Sequence, residues 1–202
     1  MCWSSTPRST PSLLRSSISI PDAYFNANGT AAARRLVHEH LEHIPEGERP
    51  SSLRDLVAQL EATPLTELPP RTVALCHVDA NTLNFIRRPR GWLCVDWENS
   101  GWGDTSFEIA EIMSHPGYMG VPISRWPWVR DTYCSLSRQT CEPERIQTYY
   151  RVLLVYWVVR VARYLYETPR GLDVRLAERR EGWEEKLRGQ YRHYLDLARA
   201  ML

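Results

Sequence analysis

The sequence predicts a mainly α fold with one small β hairpin, an α+β protein in which helices dominate. Segments with apolar residues at helical spacing lie on both sides of a central stretch, residues 72–115. That stretch instead alternates a short apolar run, a polar loop and two arms joined by a Pro and Gly turn. The 202 residues fit one domain with a sizeable core.

Residues 1–20 are rich in Ser, with Arg and Pro, and no acidic residue precedes Asp22. This composition is typical of a disordered leader, with a transit peptide as the alternative; no apolar run is long enough for a secretory signal. We therefore predict a leader over residues 1–21 and a domain over residues 22–202.

Two helices are predicted next. Residues 30–43 have Ala, Leu and Val at helical spacing, and residues 52–62 follow Ser51 as a cap and bury four aliphatic side chains. His38, His40 and His43 share the first helix, but no zinc-type arrangement accompanies them, so we assign no metal there. Residues 63–71, with three prolines, predict an extended connection.

The central stretch predicts a buried strand over residues 73–78 and a hairpin with arms 84–87 and 92–97. Asp79 and Asn84 bracket the loop before the hairpin, and Asp96 ends its second arm. Because a hairpin brings its ends together, the oxygens of Asn84 and Asp96 can face one volume and suit Mg²⁺, with Asp79 as a general base. The alternative is that all three are turn and cap residues.

Downstream, Thr105 and Glu108 have the form of a capping box and predict a helix over residues 105–114. Glu108 and Glu111 share one face, which is either an acidic wall for a cationic substrate or a solvated face. Residues 115–128 predict a loop. Four tryptophans can either pack on the body of the domain or form a cage for a quaternary ammonium group. They are Trp97, Trp102, Trp126 and Trp128.

Two helices complete the chain. Residues 143–167 contain eight consecutive apolar residues, too few to span a bilayer, and predict a buried core helix. Residues 172–202 predict a last helix with kinks or a break at Gly182 and Gly189. No internal repeat is evident.

Composition excludes several classes of function. A net charge of +1 gives no electrostatic case for nucleic acid or an anionic membrane as a partner. Five cysteines without a C-x-x-C pair do not make a disulfide framework. We interpret Cys76 and Cys94 as buried thiols in a reducing cytoplasm.

The central motifs resemble the aminoglycoside phosphotransferase and choline kinase family, distant relatives of protein kinases. They are HVDANTLN at residues 77–84, VDWE at residues 95–98 and GWGD at residues 101–104, in the order and spacing of the family's catalytic loop and metal-binding hairpin. The resemblance implies the C-terminal lobe of a protein-kinase-like fold and transfer of the ATP γ-phosphoryl group to a small-molecule hydroxyl with Mg²⁺. A cationic acceptor is one alternative.

Carried over by position, Asp79 is the catalytic residue that deprotonates the hydroxyl, and Asn84 and Asp96 bind the cofactor Mg²⁺ against the ATP phosphates. His77 is expected to be structural, as is Asp104. Val78 departs from the small residue, usually Gly, that the family has there.

The resemblance also implies a nucleotide-binding lobe before the catalytic loop, yet the first 76 residues predict only a leader and two helices. The sole lysine is Lys186, in the last helix. Three explanations are open: a truncated enzyme, a separate chain that supplies the lobe, or a non-catalytic binding or scaffold protein. We expect exposed apolar side chains at Phe85, Ile86 and Leu93, and self-association through them.

Overall fold

The computed structural model describes residues 20–71, 74–79, 81–137, 141–172 and 181–202. Over these residues the fold is mainly α with a small β hairpin, as the sequence predicts. The helices are α1 (Thr30–Leu41), α2 (Ser51–Ala62), α3 (Thr105–Ser114), α4 (Trp126–Leu136), α5 (Pro143–Glu167) and α6 (Trp183–Met201). The strands are β1 (Ala74–Cys76), β2 (Phe85–Arg88), β3 (Gly91–Cys94) and β4 (Gly101–Gly103).

Helix α5 is the centre of the hydrophobic core, and α1, α3 and α6 pack around it. Its apolar run from Val152 to Val159 is buried on every side, which explains why it lacks the polar stripe of a surface helix. Its bounds and those of α3 match the predicted ones. No helix among the described residues is long and apolar enough to cross a membrane.

The strands form two antiparallel pairs. β1 pairs with β4, with Ala74 opposite Gly103 and Cys76 opposite Gly101, and β2 pairs with β3 as the predicted hairpin. Pro89 and Arg90 form its turn. The hairpin is therefore a sheet of its own, separate from the β1–β4 pair whose second strand leads into α3.

The segment before α1 runs beside β4. Trp102 N donates to Pro21 O (2.9 Å) and Ala23 N donates to Trp102 O (3.0 Å). A Cβ atom on Gly101 would lie 2.5 Å from Pro21 O, so this close approach requires glycine. The segment from Pro21 onward thus packs on the domain. Residues 1–19 lie outside the described residues, and the leader stays a prediction.

The strands are shorter than predicted. β1 ends at Cys76 rather than at residue 78, because the backbone N–H groups of His77 and Val78 donate to the side chain of Glu108 instead of to a strand. Asn84 lies in a 3₁₀ turn, Thr82–Asn84, and β3 ends before Val95. One more backbone bond, Val95 N to Asn84 O (2.9 Å), nevertheless joins the two arms.

Three helical predictions need correction. α2 begins at Ser51 after Pro50, without a side-chain cap. The predicted loop over residues 115–128 gives way to α4 at Trp126, because Pro127 lies in the first turn, where its missing N–H costs nothing. The break predicted at Gly182 is confirmed, because α6 begins after this residue, whose φ is +76°, but α6 continues through Gly189 without the interruption predicted there. The predicted helix over residues 173–180 lies outside the described residues.

The cysteines also differ from the prediction. Cys134 and Cys141 form a disulfide between α4 and the segment that enters α5, a pair that their sequence spacing does not reveal. Cys76 is buried as predicted, but Cys94 is only half-buried, because its hairpin has both strands largely exposed to solvent. The reducing compartment stays a prediction.

Candidate active site

The loop between β1 and the hairpin is held by Glu108 of α3. Its Oε1 accepts from His77 N (2.6 Å) and Val78 N (3.2 Å), which replaces the strand partners these groups would otherwise need. Glu108 is therefore neither a solvated residue nor half of a capping box. Asp104 is the N-cap of α3, and its Oδ1 accepts from Ser106 N (2.9 Å).

His77 is buried beneath this loop, as predicted. Its Nδ1 lies 3.0 Å from the carbonyl oxygen of Asp79, and its Nε2 lies 2.7 Å from that of Val95. Its ring also meets Trp97 edge-on, with 4.8 Å between centroids. The imidazole thus joins the loop to the residue before Asp96, which fixes both segments relative to each other.

Within the described part of the chain, two residues other than glycine have a positive φ, Val78 (+69°) and Asp96 (+66°). Asp tolerates this left-handed conformation, whereas a β-branched residue strongly disfavours it. The structure therefore gives a physical reason for the small residue that the resemblance places at position 78. Val78 directly precedes the predicted catalytic Asp79, and Asp96 is itself a predicted metal ligand; strained backbone is often found at such sites.

Asp79 and Asn84 are in direct contact. Asn84 Nδ2 donates to Asp79 Oδ2 (2.8 Å), and Asp79 Oδ1 accepts from Asn81 N (3.0 Å). Because an ionised carboxylate only accepts, the amide nitrogen of Asn84 must face Asp79, and its Oδ1 is left as an acceptor. Asn84 is buried, so this orientation is fixed by its surroundings.

Asp96 lies one residue beyond the backbone bond between Val95 and Asn84. Its side chain is exposed, and no described residue forms a hydrogen bond or an ion pair with it. Among the described residues no group of three His, Cys, Asp or Glu forms a metal cluster. The chemistry of the available donors, one carboxylate and one amide oxygen, fits Mg²⁺, which takes few protein ligands and keeps most of its waters.

Behind the loop, Asp104 is the centre of a buried network. Its Oδ2 accepts from Arg145 Nε (2.6 Å) and from the Tyr149 hydroxyl (2.8 Å). Arg145 also donates to Pro69 O, and Asn26 bonds to the backbone of Asp104 at both N and O. Burial and the nearby Asp104 charge raise the pKa of Tyr149. This network joins α5, the extended connection over residues 63–71 and the segment before α1 to the start of α3. Asp104 thus has the structural role expected for it.

A cleft of about 760 Å³ opens beside Asp79. It is lined by Val78 and Asp79 of the loop, by His40 of α1 and by four residues of α5, Tyr156, Trp157, Arg160 and Tyr164. Glu111 also lines it and is buried, so the solvated face predicted for this residue is wrong. Sequence reasoning missed the α5 residues, although positions 156, 160 and 164 recur every four residues and so share one helix face.

The four tryptophans of the hypothetical cage do not meet at this cleft. Trp102 and Trp126 are buried, Trp97 and Trp128 are exposed, and none of the four lines the cleft. His38, His40 and His43 form no metal cluster either. His43 lies 3.2 Å from Glu167, and burial together with Arg160, Arg163 and His43 lowers the pKa of His40 to about 4.

The fold and the loop with its Asp, Asn and Asp side chains have the character of a phosphotransferase. The model of the phosphotransferase enzyme family matches residues 14–134, and the chain belongs to this family. This confirms the resemblance seen in the sequence motifs. No curated protein matches the chain.

Two solved structures are similar to the chain. One is a choline kinase from Streptococcus pneumoniae, 17% identical, with a TM-score of 0.48. It matches over 83% of this chain and 55% of its own length. The other is a choline/ethanolamine kinase family protein from Mesorhizobium loti, 18% identical, with a TM-score of 0.48 over 83% and 57% of the two chains. The chain thus spans a little more than half the length of each.

Proposed function

We propose that the chain carries the catalytic loop of a kinase that uses ATP and Mg²⁺ to phosphorylate a hydroxyl group of a small molecule. One observation carries the proposal. The bond from Asn84 Nδ2 to Asp79 orients the catalytic carboxylate and leaves the amide oxygen of Asn84 as an acceptor, while the backbone bond from Val95 N to Asn84 O holds the residue next to Asp96 against Asn84. The family match supports it.

Each side chain then has a defined task. Asp79 is held by two hydrogen bonds and accepts the proton of the substrate hydroxyl, and the cleft beside it holds the acceptor. Asn84 and Asp96 are the residues that would hold Mg²⁺. When bound, the ion neutralises charge on the phosphate oxygens. His77 and Glu108 keep the two loops in register.

A non-catalytic binding or scaffold protein is the second candidate. It is favoured by the absence of any lysine before Lys186, so no lysine of this chain precedes the loop to grip phosphates. Within the described residues, the part of the chain before β1 contains helices α1 and α2 and no sheet. A separate chain that supplies a nucleotide lobe, or a longer enzyme of which this sequence is a truncated part, would reconcile this with catalysis.

Calorimetric titration with ATP, with and without Mg²⁺, tests the proposal. Wild type should bind ATP in a metal-dependent way, Asp96→Ala should lose this binding, and Asp55→Ala should keep it. Asp55 is a matched control because it is an exposed aspartate on α2. Absence of metal-dependent binding at millimolar ATP would favour the non-catalytic candidate.

A further inference from the structure

The part of the cleft lined by α5 carries an arginine within a group of aromatic rings. The guanidinium carbon of Arg160 lies 4.9 Å from the ring centre of Trp157, 5.6 Å from that of Tyr164 and 5.8 Å from that of Tyr156. Its Nε and Nη1 donate to the hydroxyls of Tyr164 (2.9 Å) and Tyr156 (3.0 Å). The aromatic rings therefore hold this side chain in one orientation.

Arg160 has no carboxylate partner among the described residues, and only two of its five N–H donors are engaged. Its neighbour on the same wall, Arg163, is different, because Nε of Arg163 lies 2.9 Å from Oε1 of the buried Glu167. A partly buried guanidinium without a counterion is costly, so the usual arrangement is to pair it. Arg160 is thus an unbalanced positive charge facing the cleft.

The other side chains that line the cleft near Arg160 do not neutralise its positive charge. His40 lies beside Arg163 and Tyr156, and its lowered pKa keeps it neutral at pH 7. A cationic substrate group is disfavoured here. Arg160 already occupies the faces of the aromatic rings that would otherwise bind a quaternary ammonium ion. The two glutamates that also line the cleft, Glu39 and Glu111, make no hydrogen bond or ion pair with Arg160, whose bonds go to tyrosine hydroxyls.

We propose that the acceptor alcohol carries an anionic group, a carboxylate or a phosphate, that binds Arg160 while its hydroxyl lies at Asp79. The inference rests on the proposed function for the role of Asp79. Planar guanidinium groups bind carboxylate and phosphate oxygens through two parallel hydrogen bonds, and Arg160 keeps enough donors for this.

Asp79 and Arg160 both line one cleft of about 760 Å³, a volume typical of a site for one small molecule. A short hydroxy acid or sugar phosphate has its hydroxyl and its anionic group a few bonds apart. The geometry therefore points to small acceptors rather than to large polycationic ones.

The test is a binding comparison without nucleotide, using four alcohols that differ in charge: 3-hydroxypropanoate, glycerol 3-phosphate, glycerol and choline. Titrations followed by calorimetry or by intrinsic fluorescence of the cleft give the order of affinity in the wild-type chain. We expect at least one of the two anions to bind about tenfold or more tightly than glycerol and choline, as one charged hydrogen-bonded contact would give. Equal or tighter binding of choline or glycerol would overturn the proposal.

Variants then assign the preference to one side chain. Arg160→Gln should abolish the preference for the anion, and Arg160→Lys should retain part of it because the charge remains without the planar fork. Arg163→Gln is the matched control on the same wall and should change affinity less than about threefold, because Glu167 already neutralises that arginine. Preference that survives in Arg160→Gln would refute the assignment. If a variant fails to fold, the order of affinities in the wild-type chain still decides whether the site prefers an anionic alcohol.

The outcome is separable from that of the proposed function. Anion binding through Arg160 in a chain that does not bind Mg²⁺ and ATP would leave the acceptor site standing and the kinase proposal refuted. Metal-dependent ATP binding without preference for an anionic alcohol would support the kinase proposal and refute the acceptor site at Arg160.

Discussion

The backbone at Val78 adopts φ +69° although its side chain is β-branched. Glu108 holds this conformation through its bonds to the N–H groups of His77 and Val78. The proposed catalytic loop is therefore shaped by a contact from α3, which lies 30 and 31 residues later in the chain. The sequence motif identifies the three polar residues of the site, but it does not reveal this support, because Glu108 also fits a helix N-terminal pattern.

Replacement of Val78 by glycine should stabilise the protein. Release of left-handed strain is worth about 1–3 kcal/mol, and the extra freedom of glycine in the unfolded chain offsets about 0.5–1 kcal/mol of it. We expect a net gain of about 1 kcal/mol in the free energy of unfolding, measured by urea denaturation. Val95→Gly is the matched control, since Val95 has no positive φ, and it should be neutral or destabilising. A loss of stability in Val78→Gly would show that the loop is not strained.

Helix α5 supplies both the centre of the core and a large part of the cleft lining. Its bounds are predictable from an apolar run that begins after a proline, whereas its cleft-lining face is not, because the apolar run dominates the pattern and hides the meaning of Arg160 and its tyrosines. The start of α5 also carries Arg145, which reaches Asp104 at the start of α3. This contact between distant segments fixes the position of α3 behind the catalytic loop.

Removal of Arg145 should be strongly destabilising. Both Arg145 and Asp104 are only 1% exposed, so Arg145→Met leaves a buried carboxylate without its ionic partner. A cost of about 3–5 kcal/mol is expected for breaking a buried pair. The free energy of unfolding measured in urea gives the value.

The matched control is Arg188→Met, which removes an ion pair to Glu184 on the exposed side of α6, with side chains 59% and 50% exposed. It should change stability by about 1 kcal/mol or less. Equal effects of the two substitutions would mean that the Asp104 network does not stabilise the fold.

At the scale of the whole molecule, the fold class and the site motif are the parts that the sequence predicts, because helical periodicity and the spacing of Asp79, Asn84 and Asp96 are local patterns. The disulfide between Cys134 and Cys141 and the contacts of Glu108 and Arg160 depend on segments brought together by packing. The hairpin behaves as predicted in one respect. Phe85, Ile86 and Leu93 are 38%, 39% and 48% exposed.

We expect the exposed hairpin to drive self-association. Sedimentation velocity over a range of concentrations should show a growing fraction of dimers or larger species, because several adjacent apolar side chains are accessible. Leu93→Lys should reduce this association, and Leu136→Lys, at an exposed leucine on α4, should leave it unchanged. A monomer at all concentrations would argue against the hairpin as an interface.

The most direct test of the central claim follows the metal itself. Mn²⁺ replaces Mg²⁺ at sites of hard oxygen ligands, and its electron paramagnetic resonance spectrum changes when Mn·ATP binds a protein. Wild type and the control Asp55→Asn should both give the spectrum of bound Mn·ATP, and Asp96→Asn should give that of free Mn·ATP. A bound spectrum that persists in Asp96→Asn, or a wild-type chain that leaves the free spectrum unchanged, would contradict the assignment of Asn84 and Asp96 as the metal site.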